Sequence, residues 1–251
     1  WSSDVCSSDL STDSLLAGNL DFVTSGVSNM LLLWSRTGGQ VKAVSAASAV
    51  PLLLVTRNPN IKTIADFTEK DKIAVPTVKV SIQSTILGIA AFKMFGEAAR
   101  GRYDPFTVAM SHPDATVALL SNAGEVNSHF SAPPYQYQAL KAPGVRAVLN
   151  STDVMGGPAT ITVIFGTTKF ADANPKTIAA IYAAMGEAME FIIKDKRAAA
   201  EMYLKATKEK IGVDELTAML DMPGFAFTLA PNGAQRYAEQ MFRTGVIKTQ
   251  L

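Results

Sequence analysis

Two stretches limit the folds open to this 251-residue chain more than any others. One is Leu16-Ala-Gly-Asn-Leu-Asp-Phe-Val-Thr-Ser-Gly26. The other is Ile64-Ala-Asp-Phe-Thr-Glu-Lys-Asp-Lys-Ile-Ala-Val-Pro76, with a helix-like segment from Val80 to Phe95 behind it. Each reads as a strand that ends in a small-residue turn and feeds directly into a helix. The start of a helix carries unpaired backbone N–H groups and a partial positive charge, so each turn is a candidate seat for a ligand, above all an anionic one. Two such units in one chain favour an α/β fold in which strands alternate with helices.

The first ten residues fall outside that argument. Trp1 to Leu10 reads as one frame of a widely used sequencing adapter, TGG AGT TCA GAC GTG TGC TCT TCC GAT CT completed by one more base; the alternative is a polar natural N-terminus. Natural protein is therefore expected from Ser11, and the foreign stretch is set aside. The single cysteine of the chain, Cys6, lies in that stretch. From Ser11 onward the chain has no thiol for a disulfide, a thiolate metal site or a cysteine nucleophile.

Composition removes several function classes. Hydrophobic residues make up 48% of the chain, enough for one large domain or two lobes with substantial cores. The net charge is +1 and Lys and Arg never run beyond two in a row, so no nucleic-acid partner is expected. No apolar run reaches the roughly 18 residues a membrane helix needs. The closest, Thr177 to Ile193, contains Glu187 and Glu190. There is no Gly-x-Ser-x-Gly elbow, no phosphate loop ending in Gly-Lys-Ser/Thr and no His-Glu-x-x-His, so no enzyme motif is present.

Periodicity and turn signals order the chain. Asp21 to Ser25 reads as a strand, Gly26 to Trp34 as a helix closed by Thr37-Gly-Gly39, and Val41 to Ser45 as the next strand. Leu52 to Thr56 is an apolar run suited to a buried or lobe-crossing strand, ended by Arg57-Asn-Pro-Asn60. Strand and helix then alternate: Lys72–Val75, Ser81–Phe95, Phe106–Met110, Pro113–Leu120, Val126–Phe130, Pro134–Leu140 and Val145–Leu149. Gly156-Gly-Pro158 interrupts, and Thr160 to Phe165 suits a return crossing. Helices fill the rest. Ile178, Ile181, Met185, Ala188 and Ile192 form a stripe that predicts a core-facing helix. Further helices are expected at Ala198–Lys208 and Ala234–Thr244.

On these residues the chain resembles the periplasmic solute-binding proteins of ABC importers. The branch it suggests is the nitrate/sulfonate/taurine (SsuA-like) and thiamine-pyrimidine-precursor (NMT1/THI5-like) group. The resemblance implies an α/β type II periplasmic-binding-protein fold, two doubly wound lobes joined by a hinge. Residues 11–58 are assigned to the first part of lobe one, 59–155 to lobe two, and 156–251 to the return crossing and the helices of lobe one. Relatives begin with a further strand, helix and strand, so the N-terminal part of lobe one is expected to be missing, and the C-terminus to be clipped. The implied function is capture of a small anionic or heteroaromatic solute, a sulfonate, nitrate or pyrimidine, and its delivery to an ABC permease. The protein would be a monomer without cofactor or metal, not an enzyme, and periplasmic or lipid-anchored outside the cytoplasm, its signal peptide lost with the N-terminus. A pyrimidine-precursor synthase on the same fold and a ligand-sensing domain of a signalling protein are the alternatives. The synthases carry a cysteine-rich run that has no counterpart here.

The cleft of such a fold lies where helix N-termini of the two lobes face each other. Lobe one offers Ser25, Gly26, Val27 and Ser28, and lobe two offers Val80, Ser81 and Ile82, with ordinary helix capping as the competing role. His129, in the segment Glu125 to Pro134, is a candidate ligand donor or else a packed structural histidine. His112, ahead of Pro113, is expected to cap a helix. Phe130 and Tyr135 suit stacking on a flat ring, with core packing the default for Phe130. Thr160 is a site candidate near the return crossing, Ser48 and Pro51 are weaker ones, and Trp34 is expected to be buried.

Overall fold

The computed structural model describes residues 8–121, 124–207, 209 and 211–250. The expected stretch 1–10 lies largely outside these. The chain opens with α1 (Ser8–Leu16), β1 (Phe22–Gly26), α2 (Val27–Thr37) and β2 (Val41–Ser48). The middle runs β3 (Leu53–Thr56), β4 (Lys72–Val75), α3 (Ile82–Phe95), β5 (Thr107–Ala109), α4 (His112–Ser121), β6 (Val126–Ser131), α5 (Tyr135–Leu140), β7 (Arg146–Asn150) and α6 (Ser151–Met155). It ends with β8 (Thr162–Thr167), α7 (Thr168–Ala173), α8 (Pro175–Lys194), α9 (Lys196–Thr207), α10 (Val213–Leu220) and α11 (Ala234–Arg243).

Two sheets organise these elements. In the first, β8 lies between β1 and β2 and is antiparallel to both. In the second the order is β5-β4-β6-β3-β7, with β4 parallel to β5 and β6, and β3 antiparallel to β6 and β7. The order reverses direction at β4, and in such sheets the crevice beyond the carboxyl ends of the strands at the reversal is where ligands bind. The two-lobed α/β architecture is thus present. The apolar run after Pro51 becomes β3 inside the second sheet, so the crossing between sheets lies at 49–52, one strand before the boundary expected after Asn58. A four-residue run buried on both faces fits either sheet equally well, which is why sequence alone misplaced it. The return passage occupies 156–161, and most of the run Thr160–Phe165 expected to make it belongs instead to Thr162–Thr167, the central strand of the first sheet.

The crossings are tied together. Ala49 and Ala226 exchange two backbone hydrogen bonds of 2.8 Å, and the Ile161 N–H donates to the Ser48 carbonyl at 2.9 Å. Arg236 of α11 donates through Nη1 to the Met155 and Gly156 carbonyls (2.6 and 3.0 Å) and through Nη2 to that of Pro158 (3.0 Å). One cluster of buried side chains spans both sheets, joining Val163 and Phe165 of β8, Val27 and Leu31 of α2, Ile82 and Ile86 of α3, and Phe130 of β6.

Local chemistry explains the element ends. Helix α2 stops where Gly38 takes a left-handed conformation (φ 63°) and returns its N–H to the Trp34 carbonyl. Gly166 is required by close approach, since a Cβ there would lie 2.7 Å from the Asp21 carbonyl oxygen of the neighbouring strand. The expected core stripe on α8 is a correction. Met189 is its only buried residue among those described, Ile178, Ile181, Met185 and Ile192 are half-buried, and Ala188 is exposed. The first sheet has only three strands among the described residues, too little surface to cover a 20-residue helix. No helix among the described residues is long and apolar enough to cross a membrane.

Candidate functional site

A cavity of about 610 Å³ opens at the carboxyl ends of β1, β4, β5 and β6. Ser25 and Gly26 line it from the first sheet, and Ser81, Ile82, Gln83, His112 and Tyr135 from the second. The two turns singled out in the sequence meet here. A Cβ built on Gly26 would lie 3.6 Å from the Ile82 Cβ, so the start of α2 and the start of α3 are separated by no more than van der Waals contact. Glycine at 26 lets the backbone of one lobe come this close to the other.

The two turns are built differently. Gly26 caps α2 without a side-chain bond, and the N–H of Val27 is already taken by the Ile161 carbonyl at 3.0 Å. Ser25 Oγ accepts from Asn29 Nδ2 at 2.9 Å, which leaves the serine proton available, and Asn29 Oδ1 has no partner among the described residues. At α3, Ser81 is the N-cap: its Oγ accepts from the Ser84 N–H (3.3 Å) and lies 3.1 Å from Ser84 Oγ, which donates to the Thr77 carbonyl (2.9 Å). Capping and a place on the cavity wall coincide in Ser81. Just ahead, Lys79 sits at φ 69°, a left-handed conformation that costs a non-glycine residue about 1–2 kcal/mol.

Of the remaining predicted residues, Val27 and Ser28 are buried in the first turn of α2 and do not line the cavity; Ser28 Oγ has no partner among the described residues. Val80 is half-buried beside the wall. His129 is fully buried behind the cavity, so the histidine at the wall is His112. His112 is not the α4 cap. Ser111 is, its Oγ receiving the Asp114 N–H (3.3 Å) and donating to the Asp114 carboxylate (2.6 Å). Phe130 follows His129 on the strand, so it points to the opposite face and into the core, as the packing alternative held. Thr160 is also fully buried and is tied to Asn232 by two hydrogen bonds, 2.7 and 2.8 Å; its neighbours Ile161 and Thr162 reach the wall.

A buried polar chain backs the wall. Gln83 Nε2 lies 3.3 Å from His112 Nε2, and His112 Nδ1 lies 2.8 Å from His129 Nε2. The Tyr135 ring stacks on His112 at 6.0 Å and 20°. Burial pushes the His112 imidazole down to about 4. Burial and the adjacent His112 hold His129 well below its usual range. Both rings are therefore neutral near pH 7.

Opposite the polar wall lies an apolar one, which sequence reasoning missed. Tyr203 of α9, Leu216, Met219 and Leu220 of α10, and Phe225 and Phe227 form it. Helix α10 was not anticipated, because its eight residues sit between turn signals. The alternation Phe225-Ala-Phe227 was the available signal, placing both rings on one side of an extended segment. Among the described residues, no Asp, Glu, Lys or Arg lines the cavity. Among these lining residues, a charge on a ligand would meet helix termini and neutral donors, and the rest of it would meet hydrocarbon and aromatic rings.

No family model and no curated protein sequence matches the chain. Solved structures do. The periplasmic aliphatic sulphonate-binding protein SsuA of Escherichia coli is 18% identical with a TM-score of 0.70, covering 98% of this chain and 82% of its own. The alkanesulfonate-binding SsuA of Xanthomonas axonopodis pv. citri, bound to MOPS, is 14% identical with a TM-score of 0.69, covering 95% and 80%. A Candida albicans gene product described as having the generic periplasmic binding protein fold is 9% identical with a TM-score of 0.69, covering 96% and 78%.

Proposed function

We propose, from a chain with the type II periplasmic-binding-protein fold, that the protein is the solute-capturing component of an importer. It holds a small ligand between its two lobes and delivers it to an ABC permease. The observation that carries this reading is the convergence of the two strand-turn-helix units on one cavity of about 610 Å³ whose described lining residues carry no charge. That volume lies in the range of small-molecule sites. Ser25, Gly26, Ser81 and Ile82 would contact the polar head of the ligand, with His129 and Thr160 supporting the wall from behind. The apolar wall would take its body. The ligand class that matches is a monoanion or a neutral heteroaromatic with an apolar part; sulfonate-binding neighbours of the same fold support the first. Capture needs only tighter binding in the closed than in the open arrangement of the lobes. The protein would work as a monomer outside the cytoplasm, with residues 11–58 and 156–251 in one lobe and 59–155 in the other, apart from strand β3, which pairs in the second sheet.

Thermal unfolding tests it across a panel of nitrate, alkanesulfonates, carboxylates and pyrimidines. A true ligand at a hundred times its Kd adds about 2.7 kcal/mol to stability and raises Tm. No rise with any member of the panel would overturn the reading.

A further inference from the structure

The polar chain behind the cavity ends unevenly. At one end Gln83, only 4% exposed, helps line the cavity, and one of its amide atoms is engaged with His112. At the other end His129, fully buried, has an Nδ1 with no hydrogen-bond partner among the described residues. Both imidazoles are neutral, so each carries one ring proton.

Two proton arrangements satisfy the two contacts in the chain, because the oxygen and nitrogen of an amide occupy equivalent positions. In one, Gln83 Nε2 donates to His112 Nε2, His112 Nδ1–H donates to His129 Nε2, and His129 is left with a buried Nδ1–H that has no acceptor. In the other the amide is turned over. His129 Nε2–H then donates to His112 Nδ1, His112 Nε2–H donates to Gln83 Oε1, and the chain ends in a bare lone pair on His129 Nδ1. A buried N–H without an acceptor is the rarer and costlier defect of the two. The second arrangement is therefore preferred, and it points the Gln83 amide N–H groups into the cavity.

We infer that Gln83 is a specificity-determining residue: the buried His112–His129 pair orients its amide so that it offers N–H donors to the ligand, and the group seated there is a hydrogen-bond acceptor such as a sulfonate, carboxylate or ring-carbonyl oxygen. The wall then carries donors from Gln83 and Ser25 beside the start of α3. A group that can only donate, such as an ammonium, is rejected at this point. The inference rests on the proposed solute-binding role for its ligand, but not for the orientation of the amide.

The chain contains only two histidines, so both can be read in one spectrum. Long-range nitrogen–proton correlation on protein labelled with ¹⁵N-histidine, at pH 7, shows which nitrogen of each ring is protonated. Nε2–H on both rings is expected; Nδ1–H on either ring overturns the inference. The second arm is calorimetric titration with butane-1-sulfonate. Gln83→Glu keeps an acceptor for His112 Nε2–H but faces the cavity with a negative acceptor, and it should weaken binding at least about a hundredfold. Gln83→Met, which removes the donors together with the acceptor for His112 Nε2–H but adds no charge, should weaken it about tenfold. Wild-type affinity in Gln83→Glu overturns the inference. If the wild-type protein binds no member of the panel, the proposed function fails, and the histidine spectrum still decides the orientation of Gln83.

Discussion

Acidification should destabilise this protein through His112 and His129 well before its carboxylates titrate. Burial lowers His112 from 6.5 to about 4, and His129 moves the same way. Unfolding returns both rings to water, so as pH falls through 6.5 the unfolded chain takes up protons that the folded chain refuses. Stability is therefore full above that pH and is lost below it. For His112 alone the complete loss is roughly 3 kcal/mol, of which more than half falls between pH 7 and pH 5. His129 adds to it in the same direction. Urea unfolding at the two pH values, at constant ionic strength, should show a midpoint about 1 M lower at pH 5. The double variant His112→Gln/His129→Gln provides the baseline. Asp71, whose burial is outweighed by bonds from Thr68, Asn127 and Asn58, sits below the usual carboxylate range and titrates beneath this window. Asp104, pushed up by burial, works in the opposite direction, but equally in both proteins. A wild-type protein that loses no more stability than the double variant between pH 7 and pH 5 would refute the reasoning. Should the variant fail to fold, ring titration by NMR settles the same point, and a ring titrating near 6.5 refutes it.

Three further outcomes are expected. Arg236→Met removes the charged donor from three carbonyls of the return crossing; it should cost about 1–3 kcal/mol in urea unfolding and speed amide exchange at 156–161. Phe130→Ala should cost about 3–5 kcal/mol as a core deletion, and leave the affinity of the folded protein for a panel ligand unchanged, since the ring faces away from the cavity. Lys141→Ala breaks a 2.5 Å ion pair with Glu215 between α5 and α10. Because Lys141 is 62% exposed, the loss should stay under about 1 kcal/mol and shrink further in 0.5 M salt, as unfolding at two salt concentrations will show.

Much of the scaffold was legible because its signals are local. The strand Lys72–Val75 and the helix behind it follow from an apolar run, a small-residue turn and a serine cap, and the structure places them within a residue of expectation. The convergence of Ser25–Gly26 with Ser81–Ile82 was legible only through the resemblance, since nothing in either stretch says that a strand 50 residues away turns back to meet it. Partners across the fold were not legible. Sequence favours His129 as the ligand donor and gives His112 a capping role, whereas the pleat of β6 and the start of α4 bring His112 to the wall. Gln83 carried no signal at all: a glutamine at the second position of a helix is ordinary, and its meaning comes from the two imidazoles behind it. The apolar wall was missed for the same reason, as α10 is short and its role is set by what lies across the cavity.

The order of the first sheet has a consequence in time. Strands β1 and β2 do not pair with each other, and among the described residues each is joined to the sheet only through β8, about 115 to 140 residues later in the chain. The five-stranded sheet, by contrast, draws all its strands from one continuous stretch. On a ribosome adding about 5–20 residues per second, the second sheet is complete while the first is still two unpaired strands, and they wait roughly 5–20 s for their shared neighbour. Whatever shields those strands during that interval, it is β8, made only after every strand of the second sheet, that joins them.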